Sequence, residues 1–140
     1  MTAAELALVV PGPPVPKQRA RQGKGGHWYT PEPTRSYELA VHAYGTAARL
    51  RARWPSSDAS NRFVVTIDVF LPDERGRDVD NIAKSVLDAL NRNVWRDDRQ
   101  VARLVVNRHV DRSVPRTEVR IARVQGERSE AAPTFAVRIR

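Results

Sequence analysis

The segment 63–71 places the strongest constraint on the fold, because Val, Ile, Thr and Phe dominate it and a proline follows it. This composition favours a β-strand. A charged turn follows at 73–77, and from Asp80 apolar residues recur at three- and four-residue spacing until Asn91. That spacing predicts a helix with one buried face. A strand therefore leads through a short turn into an amphipathic helix at the centre of the chain.

A second helix is predicted ahead of this strand. It begins near Thr30 or Thr34, either of which could cap it, and it runs to about Arg51–Arg53. Pro55 and the polar cluster after it end the pattern. One face of this helix is apolar and consists of Tyr37, Ala40, Val41, Tyr44 and Ala48.

Three further strands are predicted at 6–10, 101–110 and 117–124. The last two are expected to form a hairpin around Asp111–Arg116. The chain is thus predicted to be an α+β protein of one domain, in which a small mixed β-sheet of about four to five strands packs with two α-helices.

The domain is expected to occupy residues 1–124, with 125–140 as a linker and C-terminal tail or edge strand. The linker prediction rests on the polar stretch 125–133, and the edge strand would use the alternating residues 135–139.

The balance of charge points to a polyanionic partner. The 24 Lys and Arg exceed the 16 Asp and Glu to give a net charge of +8, and only three of the basic residues are lysine. The planar guanidinium matches phosphate oxygens bidentately, so an arginine-rich surface favours a phosphate-rich partner. The alternative is a proteome that uses arginine in place of lysine everywhere.

Cysteine usage and the N-terminal region exclude several classes. The chain has no cysteine, which excludes disulfides and thiolate zinc sites. The apolar run 5–10 lacks a basic leader and is too short for a signal-peptide core or a membrane span. We therefore expect a cytoplasmic protein without membrane contact.

The pair Asp78 and Asp80 is the first candidate for chemistry. In an extended segment alternate side chains share a face, so both carboxylates would point the same way while Val79 points to the core. Two adjacent carboxylates repel each other unless a cation lies between them, and Mg²⁺ prefers such oxygen ligands. The alternative is that one of the two aspartates only caps the helix.

Lys84 follows Asp80 by one helical turn, so its ammonium could reach the same carboxylates. An ordinary surface ion pair, worth only about 0.3–0.5 kcal/mol, is the simpler interpretation. Asp88 extends the stripe by another turn and is interpreted as a structural partner of Lys84 or a solvated residue.

The run Trp95-Arg96-Asp97-Asp98 supplies a third acidic element after the central helix. Asp98 follows the end of the central helix. It can lie near the start of that helix only if a neighbouring strand or a symmetry mate brings it there. Convergence of Asp98 with Asp78 is thus a hypothesis, and an Asp-rich turn is the alternative. Trp95 is expected to be packed in the core.

Basic residues that could follow DNA phosphates lie in two places, a glycine-rich loop at 15–30 and the turn before the central helix. Trp28 and Tyr29 close the loop and could stack on unpaired bases, although anchoring of the loop to the core is the more common role. The candidate DNA-binding residues are Lys17, Arg19, Arg21, Lys24, Arg75 and Arg77.

Two stretches carry a specific resemblance. Arg-x-Arg-Asp-Val-Asp-Asn-Ile-x-Lys-x-x-x-Asp-Ala-Leu-Asn at 75–91, followed by Val-Trp-x-Asp-Asp-x-Gln-Val at 94–101, resembles the RusA family of Holliday junction resolvases. These are small endodeoxyribonucleases often carried by prophages. The run 14–19 in the basic loop and Tyr29-Thr30-Pro31 are similar to the amino-terminal half of many members. The resemblance covers about 6–124.

The resemblance implies a Mg²⁺-dependent nuclease that acts on branched DNA as a homodimer. In that family three aspartates bind Mg²⁺ and a lysine assists. By position these are Asp78, Asp80 and Asp98, with Lys84.

Three alternatives remain open from the sequence. A non-catalytic DNA-binding module would use the acidic cluster structurally. A nucleotide-sugar transferase would share the Asp-x-Asp pattern, but the chain is short and basic for that fold. A degenerate prophage remnant would fold and dimerise without activity, although the intact set of acidic residues and lysine argues against it.

Overall fold

The computed structural model describes residues 4–125 and shows two helices, a four-stranded mixed sheet and a two-stranded ribbon. The α+β prediction is therefore confirmed, while the predicted strand at 135–139 lies outside the described residues. The elements are β1 (Ala4–Pro11), β2 (Arg21–Gln22), β3 (Trp28–Tyr29), α1 (Glu32–Ala52), β4 (Asn61–Leu71), α2 (Val79–Leu90), a 3-10 turn (Asp98–Gln100), β5 (Val101–Val110) and β6 (Arg116–Gln125).

The main sheet has the order β1-β6-β4-β5, in which β4 and β5 are parallel and the other neighbours are antiparallel. The predicted hairpin around Asp111–Arg116 is therefore wrong, since β5 and β6 lie on opposite sides of β4. The helix α2 crosses over between β4 and β5 and allows them to pair in parallel. The segment after β5 then passes the end of β4, where Asp111 N–H donates to Leu71 O at 2.8 Å.

The core lies between the sheet and the two helices. Alternate residues of β4 from Phe63 to Leu71 are fully buried on this face, as expected for the central strand. Gly45 lets the helices approach closely, because a Cβ there would lie 2.6 Å from Leu90 Cδ2. The helices add Tyr37, Val41, Ala48, Ile82, Val86 and Leu90 to the buried set.

The helix α1 begins differently from the sequence prediction. Neither Thr30 nor Thr34 caps α1, which starts at Glu32 after Pro31 without a side-chain cap. Thr34 is instead buried within the helix, where its hydroxyl accepts from Gln18 N–H at 3.1 Å and donates to Pro16 O at 3.2 Å.

These bonds of Thr34 tie the basic loop to α1. Neither helix within residues 4–125 combines the length and the hydrophobicity that a membrane span requires.

Candidate nuclease site

The first acidic group lies at the start of α2. Asp78 is the N-cap residue and Asp80 lies in the first turn, and both side chains are exposed. The expected extended arrangement is therefore wrong, because Val79 already has helical geometry, although Val79 does pack against the core. Carboxylates at a helix N-terminus are stabilised by the helix dipole. Asn81 Nδ2 donates to Asp78 Oδ2 at 3.3 Å and orients that side chain.

Lys84 is exposed on the next turn of α2. Within the described residues it forms no ion pair with Asp80 or Asp88. The interpretation of Lys84 as an ordinary surface ion pair is thus not realised in this structure, and its ammonium is available for other contacts. Asp88 pairs instead with Lys17 at 3.2 Å, so the expected Asp88–Lys84 pairing is wrong.

Lys17 joins the basic loop to both helices. Its Nζ lies 2.5 Å from Glu38 Oε1 of α1 and 3.2 Å from Asp88 Oδ2 of α2, and its backbone N–H donates to Asn81 O at 2.9 Å. Burial alone would lower the pKa of Lys17, but the hydrogen bonds and charges of Glu38 and Asp88 raise it above the usual value. The structure thus places this candidate DNA contact in an internal ion-pair network.

Asp98 lies in the 3-10 turn that precedes β5. The indole N–H of Trp95 donates to Asp98 Oδ1 at 2.6 Å, and Trp95 itself is buried, as predicted. Burial raises the pKa of Asp98, and the charges of Asp88 and Asp97 raise it further against the lowering effect of the Trp95 hydrogen bond. A nearby cation would stabilise the charged form of a half-buried carboxyl of this kind.

Gln100 holds this turn in place through side-chain hydrogen bonds, a role that the sequence did not predict. Its Oε1 accepts from the backbone N–H groups of Arg96 and Asp97, both at 3.1 Å. Its Nε2 donates to Asp58 O and Asn61 O across the start of β4. The Asp97-x-x-Gln100 spacing is that of a capping box, which is the signal that could have revealed it.

The two acidic groups, Asp78 with Asp80 and Asp98, lie towards opposite ends of α2. Asp98 precedes β5, whose Val101 pairs with Phe63 near the start of β4, whereas Asp78 follows the end of β4. The nine residues from Phe63 to Leu71 span about 26 Å. Consistently, the charges that act on Asp98 come from Asp88, in the third turn of α2, and from Asp97.

Among residues 4–125 no three His, Cys, Asp or Glu side chains form a group that could hold a metal ion. One chain as described thus does not gather the three candidate aspartates.

Most of the other candidate DNA contacts are exposed at the surface. Arg19, Arg21 and Lys24 are exposed on and beside the β2–β3 ribbon. Trp28 is 68% and Tyr29 45% exposed, so the expected anchoring of the loop through these rings is wrong.

The turn before α2 carries the other two candidate arginines. Arg75 is exposed, whereas Arg77 pairs with Asp73 at 2.8 Å. The guanidinium of Arg108 donates to the backbone oxygens of Arg75 and Arg77, both at 3.0 Å, and holds the turn in place.

Comparison with known families shows to which family the chain belongs. A family model described as Endodeoxyribonuclease RusA matches residues 11–122, which contain both acidic groups and the basic loop. The chain belongs to the RusA family. No match to a curated protein sequence was found.

Membership of the RusA family confirms the resemblance carried by residues 75–101. The family consists of endodeoxyribonucleases that act on branched DNA junctions. It also argues against a nucleotide-sugar transferase, because the matched region contains the Asp-x-Asp pattern itself.

Proposed function

We propose that this RusA-family chain is a Mg²⁺-dependent endodeoxyribonuclease that resolves Holliday junctions by hydrolysing phosphodiester bonds in paired strands. The observation that carries the proposal is the family match over 11–122, which includes every candidate catalytic residue. The DNA substrate agrees with the expected cytoplasmic location.

We propose Asp78, Asp80 and Asp98 as the ligands of Mg²⁺. The donor set fits this ion, because all three are carboxylates and Mg²⁺ takes oxygen ligands. Trp95 engages only one oxygen of Asp98, which leaves the other for a ligand. When bound, Mg²⁺ would acidify a water molecule and polarise a phosphoryl oxygen.

Lys84 would act beside these carboxylates on the phosphate. Its exposed ammonium follows Asp80 by one turn and is not held by either neighbouring aspartate of α2. A positive charge at this position would stabilise the charge that develops on the phosphate in the transition state. The exposed Arg19, Arg21 and Lys24 would bind DNA phosphates, with Arg75 and Arg77 close to the start of α2, while Lys17 would hold the loop in position.

We further propose a homodimer in which each site is shared between two chains. Asp98 and the first turn of α2 lie apart in one chain, so a second copy is the simplest way to bring them together. A twofold dimer would then carry two such sites, which suits paired cuts in opposing strands of a four-way junction.

A cleavage assay on four-way, flap and linear duplex DNA, with and without Mg²⁺, tests the function. We expect cutting of the four-way junction only with Mg²⁺, and loss of cutting with retained junction binding in Asp78→Asn, Asp80→Asn and Asp98→Asn. Glu74→Gln, which alters an exposed carboxylate outside the proposed ligands, is the control. Loss of folding together with binding in the ligand variants would indicate a structural role instead.

A non-catalytic DNA-binding protein is the second candidate. The absence of a gathered metal cluster among residues 4–125 is the observation that favours it. Tight junction binding by the wild-type protein, without cutting at any Mg²⁺ concentration, would support this alternative.

A further inference from the structure

An open cleft of about 850 Å³ lies at the end of the molecule where β4 begins. Three parts of the chain form it: the end of α1, the segment that leads into β4, and the segment between α2 and β5. It contains none of the residues proposed above to bind metal or DNA. Its lining consists of Arg49, Trp54, Pro55, Ser56, Ser57, Ala59, Arg62, Arg92, Asn93, Val94, Trp95, Arg96, Asp97, Arg99 and Gln100.

The charge of the cleft is strongly positive. Five arginines line it against a single aspartate. Arg99 pairs with Asp97 at 3.0 Å, whereas the other four form no ion pair with any residue in the range 4–125. The Nε of Arg49 is buried and lacks a hydrogen-bond partner within that range. Cations gathered without acidic partners in one concave surface attract an anion with several charges.

Buried aromatic rings and hydrogen bonds connect the walls of the cleft. Trp54 and Trp95 are both buried, and they flank Phe63 with ring centroids 6.3 Å and 5.9 Å away. The indole N–H of Trp54 donates to Val94 O at 2.9 Å and links two of the three lining segments. Ser57 Oγ links them again by accepting from Arg96 N–H at 2.9 Å. The segments that carry most of the arginines are therefore joined to each other.

The cleft adjoins Asp98 through a shared wall. Trp95 lines the cleft and donates its indole hydrogen bond to Asp98. Arg96, Asp97 and Arg99 surround Asp98 in sequence and also line the cleft. An extended polyanion lying in the cleft would therefore approach Asp98.

We propose that this cleft binds the phosphodiester backbone of a junction arm and guides the strand towards Asp98. The inference rests on the proposed nuclease function and deepens it by assigning a second DNA surface. That surface lies at the opposite end of β4 from Arg75 and Arg77. A phosphodiester backbone fits because it presents charges at repeated intervals along an open groove.

Two double variants of the full-length protein test the proposal. R92Q/R96Q removes two exposed arginines that line the cleft, and the matched control R51Q/R112Q removes two exposed arginines outside it. Binding of a fluorescent four-way junction is measured in EDTA over a range of salt concentrations. Circular dichroism and thermal melting verify that both variants fold.

We expect R92Q/R96Q to bind the junction more weakly and to lower the slope of log K against log salt by roughly two units, about one for each lost phosphate contact. The control should change the slope by much less. Equal effects of the two variants would overturn the proposal, because they would indicate only the loss of net charge.

Inorganic phosphate distinguishes a strand from a free anion. If phosphate raises the melting temperature of the wild type but not of R92Q/R96Q, and both bind the junction equally, the cleft is a small-anion site and the proposal fails. Mg²⁺-dependent cutting by the wild type is measured separately. The nuclease function and the cleft assignment can thus fail independently of each other.

Discussion

At the scale of single residues, uncharged side chains decide where Asp98 lies. Trp95 holds one carboxylate oxygen, and Gln100 ties the turn to the start of β4. Neither residue carries the charge that marks a candidate catalytic group in a sequence. Both are buried, so their polar groups need partners inside the protein.

Trp95→Phe tests the hydrogen bond to Asp98. The substitution keeps an aromatic ring in the core but removes the N–H donor, so Asp98 loses its orientation. We expect cleavage of the four-way junction to slow by about tenfold, the effect of roughly one hydrogen bond to a charged group, while junction affinity stays the same. Single-turnover cleavage and binding titrations measure the two quantities.

Trp54→Phe is the matched control, because Trp54 is also buried and its indole N–H donates to Val94 O instead of Asp98. Unchanged cleavage in Trp95→Phe would remove the hydrogen bond from any role in positioning Asp98.

Because Tyr37 is buried, we expect the protein to lose stability in alkaline solution. Burial raises its pKa to about 12, against the lowering effect of its hydrogen bond with Thr117. The pKa of Tyr37 is higher in the folded protein than in the unfolded one, so the folded state keeps its full stability below about pH 10. It loses stability as the pH rises towards 12. The linked free energy is roughly 2–3 kcal/mol. Urea unfolding at several pH values measures it.

Tyr37→Phe should show a flatter decline between pH 10 and 12 than the wild type. At neutral pH it should lose about 1 kcal/mol, because the buried Thr117 hydroxyl loses its partner. Tyr44→Phe, at a position 43% exposed, serves as the control. The same alkaline decline in Tyr37→Phe and wild type would contradict this account.

At the scale of elements, the contact between α1 and α2 fixes the position of α2, whose start carries the first acidic group. Gly45 allows the close approach, and Lys17 forms ion pairs with Glu38 of α1 and Asp88 of α2. Packing and ion pairing therefore act on the same two helices.

Gly45→Ala should destabilise the fold. The added Cβ would lie 2.6 Å from the fully buried Leu90, and overpacking costs about 1–3 kcal/mol. The gain in helix propensity, about 1 kcal/mol, offsets only part of this cost. Urea unfolding measures the difference, with Gly76→Ala as the control because nothing lies within 4 Å of a Cβ there. Equal stability of the two variants would show that Leu90 has room to move.

Lys17→Gln and Lys24→Gln should separate loop positioning from DNA contact. Lys17→Gln leaves Glu38 and Asp88 without their cation, so its melting temperature should fall while the salt dependence of junction binding stays close to that of the wild type. Lys24→Gln should do the reverse and lower the salt slope by about one unit. A lower salt slope in Lys17→Gln would return this residue to the set of DNA contacts.

At the scale of the whole molecule, the acidic groups at opposite ends of α2 make the number of chains in each site a measurable quantity. A heterodimer of Asp80→Asn and Asp98→Asn distinguishes the arrangements. If each site is shared, one site carries both substitutions and the other carries none. We therefore expect the mixed dimer to nick one strand of the junction, whereas each homodimer is inactive.

Differently tagged chains, co-purified and assayed on a four-way junction, provide the measurement. Sites contained within single chains would leave the mixed dimer inactive, because every site would then carry one substitution. The wild-type dimer with the same two tags is the control for the effect of the tags.

Local patterns in the sequence determined much of this protein. The composition of 63–71 and the apolar spacing after Asp80 predicted β4 and α2, and the run 75–101 predicted the RusA family. These features depend on neighbouring residues, because backbone preference and side-chain periodicity act over one or two turns or a few strand positions.

Tertiary structure alone decided the pairing of β5 with β4, the engagement of Lys17 and the place of Asp98 beside the third turn of α2. Each depends on which distant surfaces bury one another. The apolar pattern of a strand suits more than one neighbour, so the crossover through α2 selected the partner, and with it the end of the molecule where Asp98 lies.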